Sequence, residues 1–288
     1  MVSIILAFVS FIGWGVGDIF GTIATRKVGS YSASFWNIVF GLLLSSFYIP
    51  FVIADLKNLN INVFLINIIL GVMFIIGLVA FNEGLKITNA SLVATISASF
   101  AAVTVILSVI FLKESITIFQ SIAITVIFLG LTMLNLNLKD VNKINISTKR
   151  GLFLAVVTMI TWGIYYTFIK IPVQQIGWFW PQYITLSLFP LLFLFIKLRK
   201  RKLVVSIRKE SVLIPLLANG FLVAMGEFSF NFAINKGYSA IVTPIAGSYP
   251  VLFVVLAFFF FKEKVSKQQF LGIITTLTGV VSLAILSS

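Results

Sequence analysis

A chain of 288 residues in which 60% of the side chains are apolar and 10% are charged, with a mean hydropathy of +1.12, lacks the polar coat of a soluble domain. It has no cysteine and no histidine, which excludes disulfides, thiol redox chemistry, zinc sites of the Cys/His kind and imidazole proton shuttles. A net charge of +13 does not point to nucleic acid, because a membrane protein concentrates Lys and Arg in its cytoplasmic loops whatever it binds.

The charges divide the chain into apolar intervals close to the ~20 residues that a helix needs to cross a bilayer. These intervals predict spans near 3–25, 30–53, 61–84, 90–112, 117–137, 151–170, 178–196, 211–235, 238–261 and 267–287. The expected fold is therefore an all-α integral membrane protein of ten transmembrane helices. Short loops join most spans, and the longest polar links are 138–150 and 197–210. The first apolar segment has no short h-region followed by a small-residue cleavage site, so it is expected to serve as the first span. Seventeen Lys and Arg fall in the loops after spans one, three, five, seven and nine, against four (Lys57, Lys113, Lys170 and Lys236) on the opposite face. That bias predicts a cell-membrane protein with both termini outside, and places the run KLRKRK (197–202) at the cytoplasmic headgroups.

The halves match when one is slid by 148 or 149 residues. GWGVGDIFGTIATRKVG (13–29) aligns with TWGIYYTFIKIPVQQIG (161–177), setting Trp14 over Trp162, Gly15 over Gly163 and Gly29 over Gly177. FNEGLKITNASLVAT (81–95) aligns with FNFAINKGYSAIVTP (230–244), setting Asn82 over Asn231. FLKESITIFQ (111–120) aligns with FKEKVSKQQ (261–269), pairing Glu114 with Glu263, and Thr117-x-x-Gln120 with Ser266-x-x-Gln269 as capping boxes. The halves are 2–137 and 151–287, joined by the polar linker 138–150. Five spans is an odd number, so the second copy enters the membrane upside down, giving two inverted five-helix repeats of the kind that builds a site at their interface.

With their short polar turns, the A-S-L-V-A-T and S-A-I-V-T-P helix entries and the L-K-E (112–114) and F-K-E (261–263) endings, the halves resemble the EamA-type family of the drug/metabolite transporter superfamily. The resemblance runs over roughly 2–137 and 151–286. It implies a ten-helix exporter or importer of small organic molecules such as amino acids, nucleosides or other metabolites. Members often carry a proline in the fourth helix of each half; here the second half has Pro244 and Pro250, whereas the first has Thr95 and Ala101.

The string GVGD (15–18) also raises an intramembrane aspartyl protease, which needs a second carboxylate beside Asp18. The other aspartates are Asp55, in a loop on the opposite face, and Asp140, in the linker, while Tyr166 occupies the repeat position of Asp18. Asp18 is read instead as a substrate or proton site, with Trp14 on the same face and the pair repeated by Trp162 and Tyr166; its structural alternative is snorkelling to Arg26. Glu227 interrupts the eighth span, and Asn231, at i+4, together with its repeat mate Asn82, is expected to line the same cavity. A carboxylate at this depth suits substrate contact or proton exchange in each transport cycle, or a static helix anchor. Glu83 reads as a rim ion pair with Lys86, and Ser97, Ser99, Ser248 and Tyr249 in the fourth helices as secondary cavity lining.

The expected activity is a secondary carrier of a small organic metabolite, proton-coupled or exchanging, working by alternating access. It is not read as an enzyme and needs no cofactor or metal; the partners are a small-molecule substrate and the lipid bilayer, no nucleic acid, and the sequence is compatible with a homodimer. An intramembrane enzyme or a channel is the alternative class.

Overall fold

The computed structural model of the chain describes residues 1–87, 90–135, 146–206, 211–262 and 264–287. Among them every regular element is helical. The first half contains α1 (Val2–Val28), α2 (Ser30–Ser46), α3 (Ile49–Val52) with a following 3-10 turn (Ile53–Asn58), α4 (Ile61–Ile87), α5 (Ala90–Ala98), α6 (Phe100–Phe111) and α7 (Ile118–Asn135). The second contains α8 (Ile146–Phe168), α9 (Lys170–Ile176), α10 (Phe179–Ser187), α11 (Phe189–Leu198), α12 (Leu213–Lys236), α13 (Ser239–Ala246), α14 (Pro250–Phe261) and α15 (Lys267–Leu286). Helix α8 begins inside the predicted linker 138–150; residues 138–145 of that linker, and Glu263, lie outside the described residues.

Among the described residues seven stretches are long and apolar enough to cross a membrane: Val2–Val28, Ile61–Leu85, Lys149–Ile176, Phe179–Leu198, Leu213–Lys236, Ser239–Phe261 and Lys267–Leu286. The pair Ser30–Ser46 and Ile49–Asn58, bent by 66°, makes an eighth if it is one span. The fourth and fifth predicted spans are shorter apolar helices, Ile96–Phe111 and Ile118–Leu134.

Proline accounts for most of the breaks, because it supplies no N–H to the carbonyl four residues back. Pro50, Pro172, Pro190 and Pro250 lie at the α2/α3, α8/α9, α10/α11 and α13/α14 junctions. The α5/α6 junction breaks at Ser99 without a proline, at the repeat position of Ser248 in the α13/α14 turn. The fourth span of each half is thus interrupted at the same register although only one half carries the prolines.

Other backbone features recur at the same spacing. Gly29 and Gly177, which turn α1 into α2 and α9 into α10, have φ of 80° and 76°, a region where a Cβ is disfavoured. Lys113 and Lys262 are left-handed at φ 57° and 56°, each just past the end of a fourth span. Both expected capping boxes form: the Gln120 and Gln269 amides donate to Thr117 Oγ1 and Ser266 Oγ at 3.2 Å, and the cap amides donate back to the glutamine Oε1 atoms at 2.9 and 3.0 Å.

The glycines of GWGVGDIFG are a packing stripe. Gly13, Gly17 and Gly21, spaced by one helical turn, face Leu222 and Gly226, Val223, and Asn219 of α12. A Cβ on Gly13 would stand 2.7 Å from the Leu222 carbonyl and 2.9 Å from the Gly226 Cα, so the two backbones meet with nothing between them. Asn219 donates to the Gly17 carbonyl at 2.8 Å and accepts from Asn37 at 2.6 Å, tying α2 into the same contact. Helix α4 meets α8 at Gly77, where a Cβ would strike side-chain atoms of Trp162 and Thr161, and α7 meets α15 through Gly130, Gly272 and Gly279.

Candidate functional site

The glycine contacts bring together α1, which carries Asp18, and α12, which carries Glu227. Helix α1 supplies Trp14 and Asp18, α8 supplies Trp162, Tyr165 and Tyr166, α12 supplies Glu227 and Phe230, and the α13/α14 turn supplies Tyr249. Trp14 is the hub: its ring centroid is 5.6 Å from that of Tyr166 and 5.7 Å from those of Phe230 and Tyr249. Phe100 continues the cluster from Tyr166, at 4.9 Å, to Trp162, at 6.0 Å. Trp162 in turn lies against Phe74 and Phe81 of α4. A belt of rings therefore crosses from one half to the other.

Glu227 is 4% exposed, and its Oε1 accepts a hydrogen bond from the Tyr166 hydroxyl at 2.8 Å. Among the described residues its Oε2 has no hydrogen bond of good geometry, and neither has the indole Nε1 of Trp14, itself 5% exposed, although that indole lies close enough to the Glu227 side chain to interact with it. Buried polar atoms are almost always paired, and an unpaired one costs about 1–3 kcal/mol. Asp18 is half-buried and makes no hydrogen bond or ion pair with the described residues. Tyr249, also partly exposed, interacts electrostatically with both Asp18 and Glu227. The snorkelling alternative for Asp18 is not what the structure adopts: the Arg26 guanidinium lies over the Phe261 ring at 4.3 Å.

Asn82 and Asn231 are buried and engage backbone and neighbouring helices. Asn82 donates to Leu78 O at 2.8 Å and to Ser34 Oγ at 3.4 Å; Asn231 donates to Trp178 O at 3.2 Å. Each thus reaches the second span of its own half. Ser248 donates to Pro244 O at 2.6 Å, and Ser97 is buried with its hydroxyl unpaired. Ser99 is half-buried at the α5/α6 break. Glu83 accepts from the Tyr31 hydroxyl and pairs with Arg201 at 3.3 Å, at the headgroup end of α4. The Lys86 side chain lies outside the described residues.

Two features are invisible to periodicity. Glu114 and Lys170, read as loop and helix-end charges, are 5% and 8% exposed and joined at 2.6 Å. Glu114 also accepts from the first amides of α13, Ser239 N at 2.9 Å and Ala240 N at 2.8 Å, and Lys170 donates to Gly237 O at 2.8 Å. The second feature is a duplicated contact: a Cβ on Gly226 would meet the Trp14 indole at 2.6 Å, and one on Gly77 would meet the Trp162 indole at 2.5 Å. Gly77 and Gly226 are themselves 149 apart, a match the sequence carried unremarked.

A separate cavity of about 290 Å³ lies between α2, α10 and α12, beside Ser45, Tyr48, Trp178 and Phe228, and has no charged lining. It touches none of the candidate residues.

The sequence model of the EamA-like transporter family matches residues 1–136 and 149–285. A Methanocaldococcus jannaschii protein named "Uncharacterized protein MJ1333.1" is 26% identical over 135 residues, which span 47% of this chain and 96% of that relative. A crystal structure of a protein with 13% sequence identity superposes over 99% of this chain and 97% of its own with a TM-score of 0.84, a likeness of fold.

Proposed function

The chain belongs to the EamA-like transporter family, and on that premise we propose that it is a secondary carrier of a small organic solute in the cell membrane, with ten spans in two inverted repeats and either proton coupling or solute exchange. The observation that carries this reading is the duplicated indole–glycine contact. Trp14 of the first half packs on Gly226 of the second, and Trp162 of the second half packs on Gly77 of the first. Each half offers the other the same surface, as two inverted copies around a shared site would. The two shorter helices, Ile96–Phe111 and Ile118–Leu134, count as the fourth and fifth spans on this reading, and their partners in the second half are full-length.

Asp18 and Glu227 are the groups assigned to substrate or proton binding, with Trp14, Tyr166, Trp162 and Tyr249 as the walls. Asn82 and Asn231 hold the second span of each half against the third, so that movement of one half is transmitted to the site. Alternating access also needs closure at one face at a time. The Glu114–Lys170 pair joins the ends of α6, α8 and α12 at the lysine-poor face, and supports the view that this face is shut in the conformation described.

The natural lack of cysteine makes the test direct. Single cysteines replacing Ser99 or Tyr249 are labelled in oriented vesicles with an impermeant thiol reagent. A carrier gives reaction from both faces, with the Lys170→Met background increasing it from the lysine-poor face. Reaction from one face only, unaltered by that background, rejects alternating access.

A further inference from the structure

The carrier reading leaves the solute undefined, and the charge of the site narrows it. Both carboxylates at the ring belt point to one sign of ligand. Among the described residues no lysine or arginine contacts either of them: Arg26 lies over Phe261, Lys170 is bound to Glu114, and Arg201 is bound to Glu83. The groups that interact with Glu227 are neutral, namely the Tyr166 hydroxyl, the Trp14 indole, and Tyr165 and Tyr249.

We infer that the solute is an organic ammonium ion, a protonated or quaternary amine on an aromatic or aliphatic body, carrying no carboxylate or phosphate of its own. Its N–H or N–CH groups meet Glu227 Oε2, the buried oxygen without a well-formed hydrogen bond among the described residues. Trp14, Tyr166, Phe230 and Tyr249 form one ring cluster next to this carboxyl, aromatic surface of the kind that attracts a cation and takes its apolar body. Asp18, partly exposed on α1 and without a hydrogen bond or ion pair among the described residues, adds a second acidic side chain beside Tyr249.

Anions fail on the same grounds. A carboxylate or phosphate brought to this site finds acidic side chains and no described cation to pair with, an arrangement that selects against the wrong partner. A zwitterionic amino acid satisfies the amine end and leaves its carboxylate unmet.

The inference rests on the carrier reading for the meaning of the site, but its test does not require flux. Binding to the purified full-length protein is measured by tryptophan fluorescence and by thermal stabilisation. The matched probes are phenethylamine, phenylalanine, phenylacetate and 2-phenylethanol, with tryptamine and tetrapropylammonium as bulkier cations. At least one cation is expected to bind about tenfold more tightly than any acid, zwitterion or alcohol of the set. Glu227→Gln is expected to weaken that cation by about tenfold or more, and Asp18→Asn serves as the second variant should Glu227→Gln fail to fold. Saturable binding of no cation, preference for phenylacetate or phenylalanine, or cation binding that survives the folded acidic-site variants overturns it. Failure here with two-faced cysteine labelling intact removes the ligand class and leaves the carrier; loss of two-faced labelling removes the carrier irrespective of what binds.

Discussion

Lys170 donates to Glu114 at 2.6 Å across the boundary between the two halves, with both side chains buried. The carboxylate also receives two amides at the start of α13, so the pair fixes the positions of four helix ends at once. Removing one member of a buried pair leaves its partner charged and unmatched, at a cost of about 3–5 kcal/mol. Lys170→Met is therefore expected to lower stability by that order in a denaturant titration in detergent. The double variant Lys170→Met with Glu114→Gln is expected to lose less than the sum of the two single variants, and additive losses would show that the pair does not act as a unit.

The glycines of α1 are expected to differ in tolerance according to what a methyl group would strike. On Gly13 it meets α12 backbone, with the Leu222 carbonyl at 2.7 Å, whereas on Gly15 it meets only side-chain atoms of Leu252, the nearest at 2.9 Å. Gly13→Ala should destabilise by about 1–3 kcal/mol through forced separation of two helices. Gly15→Ala should cost clearly less. Equal thermal shifts for the two would mean that α1 and α12 are not in backbone contact.

Tyr166 holds the one paired oxygen of Glu227. A hydrogen bond to a charged or buried acceptor is worth about 1–3 kcal/mol, so Tyr166→Phe should destabilise by that amount. In a Glu227→Leu background the same change should be nearly neutral, since the acceptor is gone. A Tyr166→Phe cost that is the same in both backgrounds would assign it to packing against Phe100 and Phe230 instead.

The distribution of Lys and Arg predicts that a reporter fused after Ser288 is external. An alkaline-phosphatase-type fusion should be active and a green fluorescent protein fusion dark. The reverse pattern overturns the orientation and would place the Glu114–Lys170 pair at the inner face.

The helical segments and their register were legible because hydropathy and charge spacing act locally. The repeat was legible because Trp14, Gly29, Asn82 and the capping residues have fixed counterparts. The bend after Ser46 and the break at Ser99 were not, since a span reads as one apolar run whether or not it is interrupted. Of the candidate site, Trp14, Tyr166, Glu227 and Tyr249 do stand together, and they were found because an acidic or aromatic group in a span is conspicuous. The Glu114–Lys170 pair went unread for the opposite reason: charges at the ends of apolar segments look like loop residues, and only the three-dimensional approach of α6 to the α8/α9 break buries them. Asn37 and Asn219 were passed over because an amide that satisfies a glycine carbonyl across a helix pair has no one-dimensional pattern.

The α7/α15 contact runs antiparallel, with Gly130 against Thr276 and Gly279 against Ile127. Since 127 and 276 are counterparts, as are 130 and 279, exchanging the two halves turns this helix pair into itself. On the inverted-repeat reading it sits astride the two-fold axis, and its contacts are identical whichever face is open. The pair is then the stationary post of the molecule, a fulcrum that bears no part of the switching energy, and the work of opening falls on the helices around Trp14 and Trp162.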